Sequence, residues 1–400
     1  MMDRVKTAGV LVTLLMFPAG LAAQPAPPAL ATARAHYEDA TINAVTFRSA
    51  DAFFPTEPVA AGARAAKLPR APKTLASTVK LGEGSFAFDE ALQRTYTNAL
   101  LVMKDGAIVD ERYLNGGAAD DRYMSWSMAK SIVSILVGIA IDKGQIKSVD
   151  EPIDRYVPET RGTAYEGVSI EHLLMMRDGT SYTEQVESGQ STLERIKKRA
   201  TYGNNTNFTD LSGLDLTRAH PPGSKFLYST LTSTLLGRLV EEASGLSLAA
   251  FTEKHLWKPA GMEAPGYWVL DNPAPKGRAV GGGAFNATLR DYGRIGQMML
   301  DGGRANGRQI VSKAWVEKST RYPGTTSVMP GAPRGYGYQW WTMLGTDRYE
   351  AIGIHGQFLS IDPKTRTVIV KLSYWPDKGG RQLNLDTFAL FDAIRAEVGK

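Results

Sequence analysis

The sequence predicts an α+β fold: an antiparallel sheet formed from N- and C-terminal segments, flanked by helices, with a mostly helical region inserted between them. Three observations predict it. Residues 99–113 carry a β-hairpin pattern, residues 149–257 carry helical periodicity and long loops, and strand patterns return between 335 and 372. At 400 residues the chain exceeds one simple core, so one large composite domain or two domains are expected.

The elements follow in order. Residues 1–23 read as a signal peptide: Arg4 and Lys6 give a basic start, residues 8–15 an apolar run, Pro18 a break, and residues 19–23 small side chains for cleavage. A periplasmic or secreted location is expected, with no stable membrane span once the signal is removed. Residues 24–85 are rich in Ala and Pro and read as a linker followed by a loop-rich arm packed on the body. The main domain is expected over 86–400, with 86–125 plus about 275–400 as its α/β part and about 126–274 as its helical part.

Within that domain, Asp105-Gly106 fits the tight turn of the hairpin. A helix is expected over 128–143, with Ile132, Ile135, Leu136, Ile139 and Ala140 spaced by three and four and Gly144 ending it. Further helices are expected over 230–243, 247–256, 291–300 and 388–398. The aromatic, Gly-spaced run 335–341 and the pair 358–362 and 367–372 read as strands.

Composition excludes several function classes. A net charge of +5 over this length provides neither a nucleic-acid groove nor a polybasic membrane patch. The chain has no cysteine, so it has no disulfide, thiolate nucleophile or lipid-attachment cysteine. The five histidines, His36, His172, His220, His255 and His355, show no metal-ligand spacing. Ser247, in Gly245-Leu246-Ser247-Leu248-Ala249, reads as a helix cap, because no strand precedes it as a nucleophile elbow requires.

Three segments carry chemistry. In Ser127-Met128-Ala129-Lys130, serine and lysine three apart on a first helical turn share one face. A serine hydroxyl needs a base within reach, and a lysine serves if burial lowers its pKa. The helix start also aims backbone N–H groups outward, toward a developing oxyanion. The competing reading is a capping serine beside a surface lysine. The second segment is Tyr228-Ser229-Thr230, just before an apolar helix. Its phenol, beside a lysine ammonium, is expected to ionise more easily and relay a proton; the competing reading is a packing tyrosine with Ser229 or Thr230 capping the helix. The third is Gly353-Ile354-His355-Gly356-Gln357, where glycines admit close backbone approach and the Gln357 N–H faces a substrate carbonyl. Here the competing reading is a glycine bulge with His355 buried and hydrogen-bonded.

Together these segments resemble the serine β-lactamase and penicillin-binding superfamily, implying a β-lactamase/transpeptidase-like fold. The likeness extends to residues 172–179, 291–296 and 298–303. Residues 353–357, 362–363 and 368–377 are especially similar to the 6-aminohexanoate-dimer hydrolase branch, whose members have the class C β-lactamase-like fold. The resemblance implies Ser127 as nucleophile, Lys130 as its base, Tyr228 as proton donor to the leaving group, and the N–H groups of Ser127 and Gln357 as oxyanion hole. Tyr182, His355 and Gly356 are candidate substrate-binding residues. It implies hydrolysis of a small-molecule amide or ester through an acyl-enzyme, with no metal or organic cofactor.

The departures narrow the expectation. The second segment lacks the asparagine usual in β-lactamases, and the third has Ile354 and His355 in place of Lys-Thr, which argues against β-lactamase or D-alanyl carboxypeptidase action. A tyrosine of the nylon-oligomer branch stands about where Val186 does here, which favours ester hydrolysis over that of linear amides. A non-catalytic binding protein on the same fold is the alternative of a different class, and the intact Ser127, Lys130 and Tyr228 weigh against it.

Overall fold

The structure, a computed structural model, describes residues 27–75, 78–185, 190–200, 206–329 and 332–399. The predicted signal segment and Val186 lie outside the described residues.

The hairpin forms as its sequence requires. Strand β1 (Thr97–Lys104) and strand β2 (Ala107–Tyr113) are joined by Asp105 and Gly106, at φ 49° and 80°. Two consecutive left-handed residues give the turn whose twist matches the flanking strands. Five more strands come from the C-terminal part: β3 (Arg334–Tyr336), β4 (Trp341–Met343), β5 (Tyr349–Gly353), β6 (Gln357–Asp362) and β7 (Thr367–Ser373). They assemble in the order β3-β4-β5-β6-β7-β1-β2, every pair antiparallel. The join between the two ends of the chain is β7 against β1, with Val370 opposite Leu101.

Side-chain alternation sorts this sheet between two cores. Leu101, Met103, Leu359, Val368 and Val370 face the main core. Their neighbours Leu100, Val102, Phe358 and Ile369 face a smaller one, closed by Leu390, Phe391 and Ile394 of the C-terminal helix. Both faces are covered, so the strands read as near-continuous apolar runs.

Helix α1 (Met128–Asp142) is buried on every side from Met128 to Ala140. A helix apolar all round must sit in the middle of a protein, and α1 packs against α2 (Thr230–Ser244) and the sheet. Helix α3 (Leu289–Leu300) lies on the sheet through Gly293 and Gly296. A Cβ on Gly296 would fall 2.5 Å from Val368, so only glycine permits this approach. Helix α4 (Arg381–Val398) starts seven residues before the expected 388, because its first turns are polar and partly exposed and show no apolar stripe. The expected strand over 335–341 is divided between β3 and β4, which are antiparallel neighbours joined by a turn at Gly337–Trp340.

The arm is more structured than its Ala/Pro composition suggests. It contains short helices Pro28–Ala35, Asn43–Thr46 and Ala50–Phe53, and a strand, Thr56–Val59. That strand enters a second sheet with Gly266–Val269, Phe285–Ala287 and Tyr123–Met124. Tyr123–Met124 leads directly into Ser127, so this sheet carries the arm to the start of α1. Among the described residues no helix is long and apolar enough to cross a membrane.

Candidate active site

Ser127 stands at the start of α1, yet its side chain does not cap the helix. Lys130 Nζ lies 2.9 Å from its Oγ instead. This geometry removes the capping reading. Lys130 is 1% exposed and reaches two more acceptors: Thr230 Oγ1 at 3.1 Å, on the first turn of α2, and the Gly282 carbonyl at 2.5 Å.

The wiring around Lys130 decides where its lone pair points. Thr230 Oγ1 donates to Glu184 Oε1 at 2.5 Å, so toward Lys130 it can only accept. The Gly282 carbonyl also only accepts. A neutral amine has two N–H groups, and these two partners take both. The lone pair is then left facing Ser127, whose hydroxyl is the one group of the three free to donate. Burial lowers the Lys130 pKa to about 8, against an opposing pull from the Glu184 carboxylate. About a tenth of the molecules therefore hold the neutral amine at pH 7.

Glu184 was not singled out in the sequence. Besides Thr230 Oγ1, it accepts from the Thr230 N–H at 3.0 Å and from the Tyr182 hydroxyl at 2.6 Å. Sequence alone offers little to mark it: the acid sits in a loop far from both motifs. Ser229, not Thr230, caps α2, accepting from the Thr232 N–H at 3.0 Å, which leaves Thr230 for Lys130.

Tyr228 lines the same cavity as Ser127. Its ring lies 4.9 Å from Lys130 Nζ, and its phenol is near enough to Ser127 for that hydroxyl to act on its ionisation. The ring stacks on Trp341 at 5.6 Å and meets Tyr336 edge-on. The expectation of easier ionisation is corrected here. Burial raises the phenol's pKa, and Glu184 adds to that against the opposing effect of the Ser127 hydroxyl. Tyr228 is thus a neutral phenol, a proton donor rather than a ready phenolate.

Gly353, at the end of β5, lies against the residues before Ser127: a Cβ there would fall 2.4 Å from the Ser125 carbonyl. Across the ladder Gly353 pairs with Gln357, so the first residue of β6 is brought beside the start of α1. The Gln357 side chain is committed elsewhere, donating to the His355 and Ser373 carbonyls at 2.9 and 2.8 Å. Gln357 is itself buried and is not among the residues lining the cavity over Ser127; its backbone N–H stays a candidate oxyanion donor.

A cavity of about 1020 Å³ opens over Ser127. Its wall is largely aromatic and aliphatic, with Trp126, Phe226, Trp341 and Ile352 among the lining residues. Tyr182 lines it, although its hydroxyl is held by Glu184. Two candidate substrate contacts are corrected. His355 and Gly356 are not among the lining residues; Gly353 and Ile354 are. His355 is 2% exposed, between Phe47 and Trp126, with Nδ1 2.9 Å from the Trp375 carbonyl. Gly356, at φ 81°, packs its backbone against Trp375.

Comparison with known proteins agrees with this architecture. The sequence profile of the family described as Beta-lactamase matches residues 87–390. The chain is 33% identical over 322 residues to 6-aminohexanoate-dimer hydrolase of Paenarthrobacter ureafaciens, covering 77% of this chain and 80% of that protein. It is 31% identical over 150 residues to esterase EstB of Burkholderia gladioli, covering 35% and 37% of the two chains. The solved structure of a candidate 6-aminohexanoate-dimer hydrolase from Bacillus anthracis superposes with a TM-score of 0.80 at 23% identity, over 90% of this chain and 95% of that one, a likeness of fold. With the profile spanning most of the chain and a curated relative matched over most of its length, this chain belongs to the β-lactamase family.

Proposed function

We propose that this chain is an exported serine hydrolase that cleaves a small-molecule amide or ester, with short-chain esters the preferred class, through an acyl-enzyme on Ser127. The observation that carries the reading is the enforced direction of the Lys130 lone pair: both its other partners can only accept, so the neutral amine is aimed at Ser127 Oγ. The names of the amidase and esterase relatives agree with the substrate class.

In acylation, Ser127 Oγ attacks the carbonyl carbon while its proton passes to Lys130. The carbonyl oxygen becomes the oxyanion and is received by the Ser127 and Gln357 N–H groups. The tetrahedral adduct collapses as the bond to the leaving group breaks, and Tyr228 supplies the proton that the departing oxygen or nitrogen needs. Lys130, now an ammonium, returns a proton to Tyr228. Water repeats the attack on the acyl-enzyme and restores Ser127, so the net reaction consumes one water and yields an acid and an alcohol or amine. With Ile354 and His355 where β-lactamases carry Lys-Thr, the carboxylate of a β-lactam has no lysine at that position to meet.

The test is a panel of p-nitrophenyl esters, 6-aminohexanoate dimer and nitrocefin, run beside labelling with a fluorophosphonate. Ester turnover above nitrocefin turnover, and labelling that disappears in Ser127→Ala, are expected. An unlabelled, inactive wild-type protein is the result that favours a binding protein; faster nitrocefin than ester turnover favours a β-lactamase.

A further inference from the structure

We infer that Glu38, on the N-terminal arm, is a positioning residue for the oxyanion turn, acting through His355; this rests on the hydrolase reading above. The turn joining β5 to β6 consists of Ile354, His355 and Gly356, and it sets the position of the Gln357 N–H. His355 and Gly356 stand consecutively in left-handed conformation, at φ 58° and 81°. A non-glycine residue there costs roughly 1–3 kcal/mol and persists where its surroundings over-determine it.

The surroundings come from elsewhere in the chain. The Trp375 carbonyl only accepts, so His355 Nδ1 carries a hydrogen and donates to it at 2.9 Å. Glu38 Oε2 lies 3.5 Å from Nε2, and a carboxylate also only accepts, so both contacts are hydrogen bonds when both ring nitrogens carry a hydrogen. Phe47, also from the arm, lies 5.0 Å from the imidazole centroid, and Trp126, beside the nucleophile, lies at 5.5 Å. The arm thus packs on the turn through Phe47 and Glu38, while Trp126, next to the nucleophile in sequence, packs on the same imidazole.

Glu38 is itself held in place. Lys197 Nζ lies 3.3 Å from Oε1 and Lys378 Nζ 3.7 Å from Oε2. Burial opposes its ionisation, but the hydrogen bond to His355 and the two ammonium charges keep the carboxyl well below the usual carboxylate range. It is a carboxylate at any working pH, anchored from the helix Thr192–Arg199 and from the loop before α4. Nothing in the proposed chemistry uses it. Glu38 also lines the cavity. Its withdrawal would loosen the turn without emptying a core position, because glutamine fills the same space.

The experiment compares wild type, E38Q and E194Q on a neutral p-nitrophenyl ester. Glu194 faces the same two lysines, at 3.8 and 3.7 Å, whereas it is Glu38 that His355 meets. For E38Q a fall in kcat of about tenfold or more is expected, with KM within about threefold and an unchanged circular dichroism spectrum, a displaced oxyanion donor being less costly than a deleted one. The loss in E194Q is expected to be at least about fivefold smaller. Equal kcat in E38Q and wild type overturns the inference, as does an equal loss in E194Q, which would assign the effect to the lysine cluster. Should E38Q fail to fold, H355Q decides: a comparable kcat loss supports the coupling, and full activity overturns it. An inactive, unlabelled wild type overturns the hydrolase reading itself and this inference with it.

Discussion

Lys130 is held neutral more often than an exposed lysine because it is fully buried, and the Glu184 carboxylate moderates that effect. The base form is the reactive one, so kcat/KM for an ester is expected to rise with pH through an apparent pKa near 8. Removing the charge of Glu184 removes the pull that raises the Lys130 pKa. The E184Q profile should therefore move to lower pH, measured by initial rates between pH 6 and 9.5. A profile that is flat, or that moves upward in E184Q, contradicts this electrostatic account. Tyr228, a buried phenol, serves as donor; Y228F is expected to lower kcat by about 10²–10³-fold, the scale of a lost general acid, with the urea midpoint nearly unchanged. Retained kcat in Y228F would remove the phenol from the chemistry. The pairing of Ser127 with Lys130 was legible at this scale, since a spacing of three puts both side chains on one face of a helix. The direction of the Tyr228 shift was not, because burial is a property of the fold and here exceeds any help from the neighbouring ammonium.

Elements bring the residues together through close backbone approaches. Gly353 allows the end of β5 to lie against Ser125, where a Cβ would fall 2.4 Å from a backbone carbonyl that cannot swing away. G353A is expected to push β5 and the start of α1 apart, lowering kcat at least about tenfold and costing roughly 1–3 kcal/mol of stability, as overpacking does. Steady-state kinetics and urea unfolding check both, and wild-type kcat in G353A would show that this approach does not set the oxyanion geometry. The hairpin 97–113, α1, α2, α3 and the β6–β7 pair were all legible, because each carries its own period and punctuation, such as Asp105-Gly106 or Gly144. The start of α4 and the split of 335–341 were not. Polar first turns hide a helix, and short strands around a tight turn read as one aromatic run. The arm's strand, Thr56–Val59, was hidden by Pro58, which sits on an edge strand where a missing N–H is tolerated.

The whole molecule joins its two ends in one sheet and buries charge deeply on both sides of it. Lys130 and Lys371 are fully buried, and burial lowers both pKa values, Lys371 well below the ordinary range. Between the folded and unfolded pKa values the unfolded chain binds more protons, so stability rises with pH across that interval. From pH 7 to 9.5, Lys130 alone is expected to add about 2 kcal/mol. The buried tyrosines act in the opposite sense: the raised pKa values of Tyr123, Tyr165 and Tyr228 contribute stability that is lost above about pH 10. Urea unfolding should therefore show a midpoint that climbs from neutrality to about pH 9.5 and falls beyond; a midpoint falling steadily from pH 7 contradicts the burial of the two lysines. The convergence on Ser127 was partly legible, as three motifs that had to meet. Gly282 and Glu184 were not, because a backbone carbonyl has no residue identity and an acid in a loop acquires meaning only from what it faces.

The most direct measurement is the mass of the intact protein quenched during turnover of a p-nitrophenyl ester, followed by peptide mapping. A protein heavier by one acyl group, with that group on Ser127, is expected, and no adduct in Ser127→Ala. Turnover with no adduct at any quench time in wild type or in the slowed Y228F variant, or an acyl group on another residue, would contradict it.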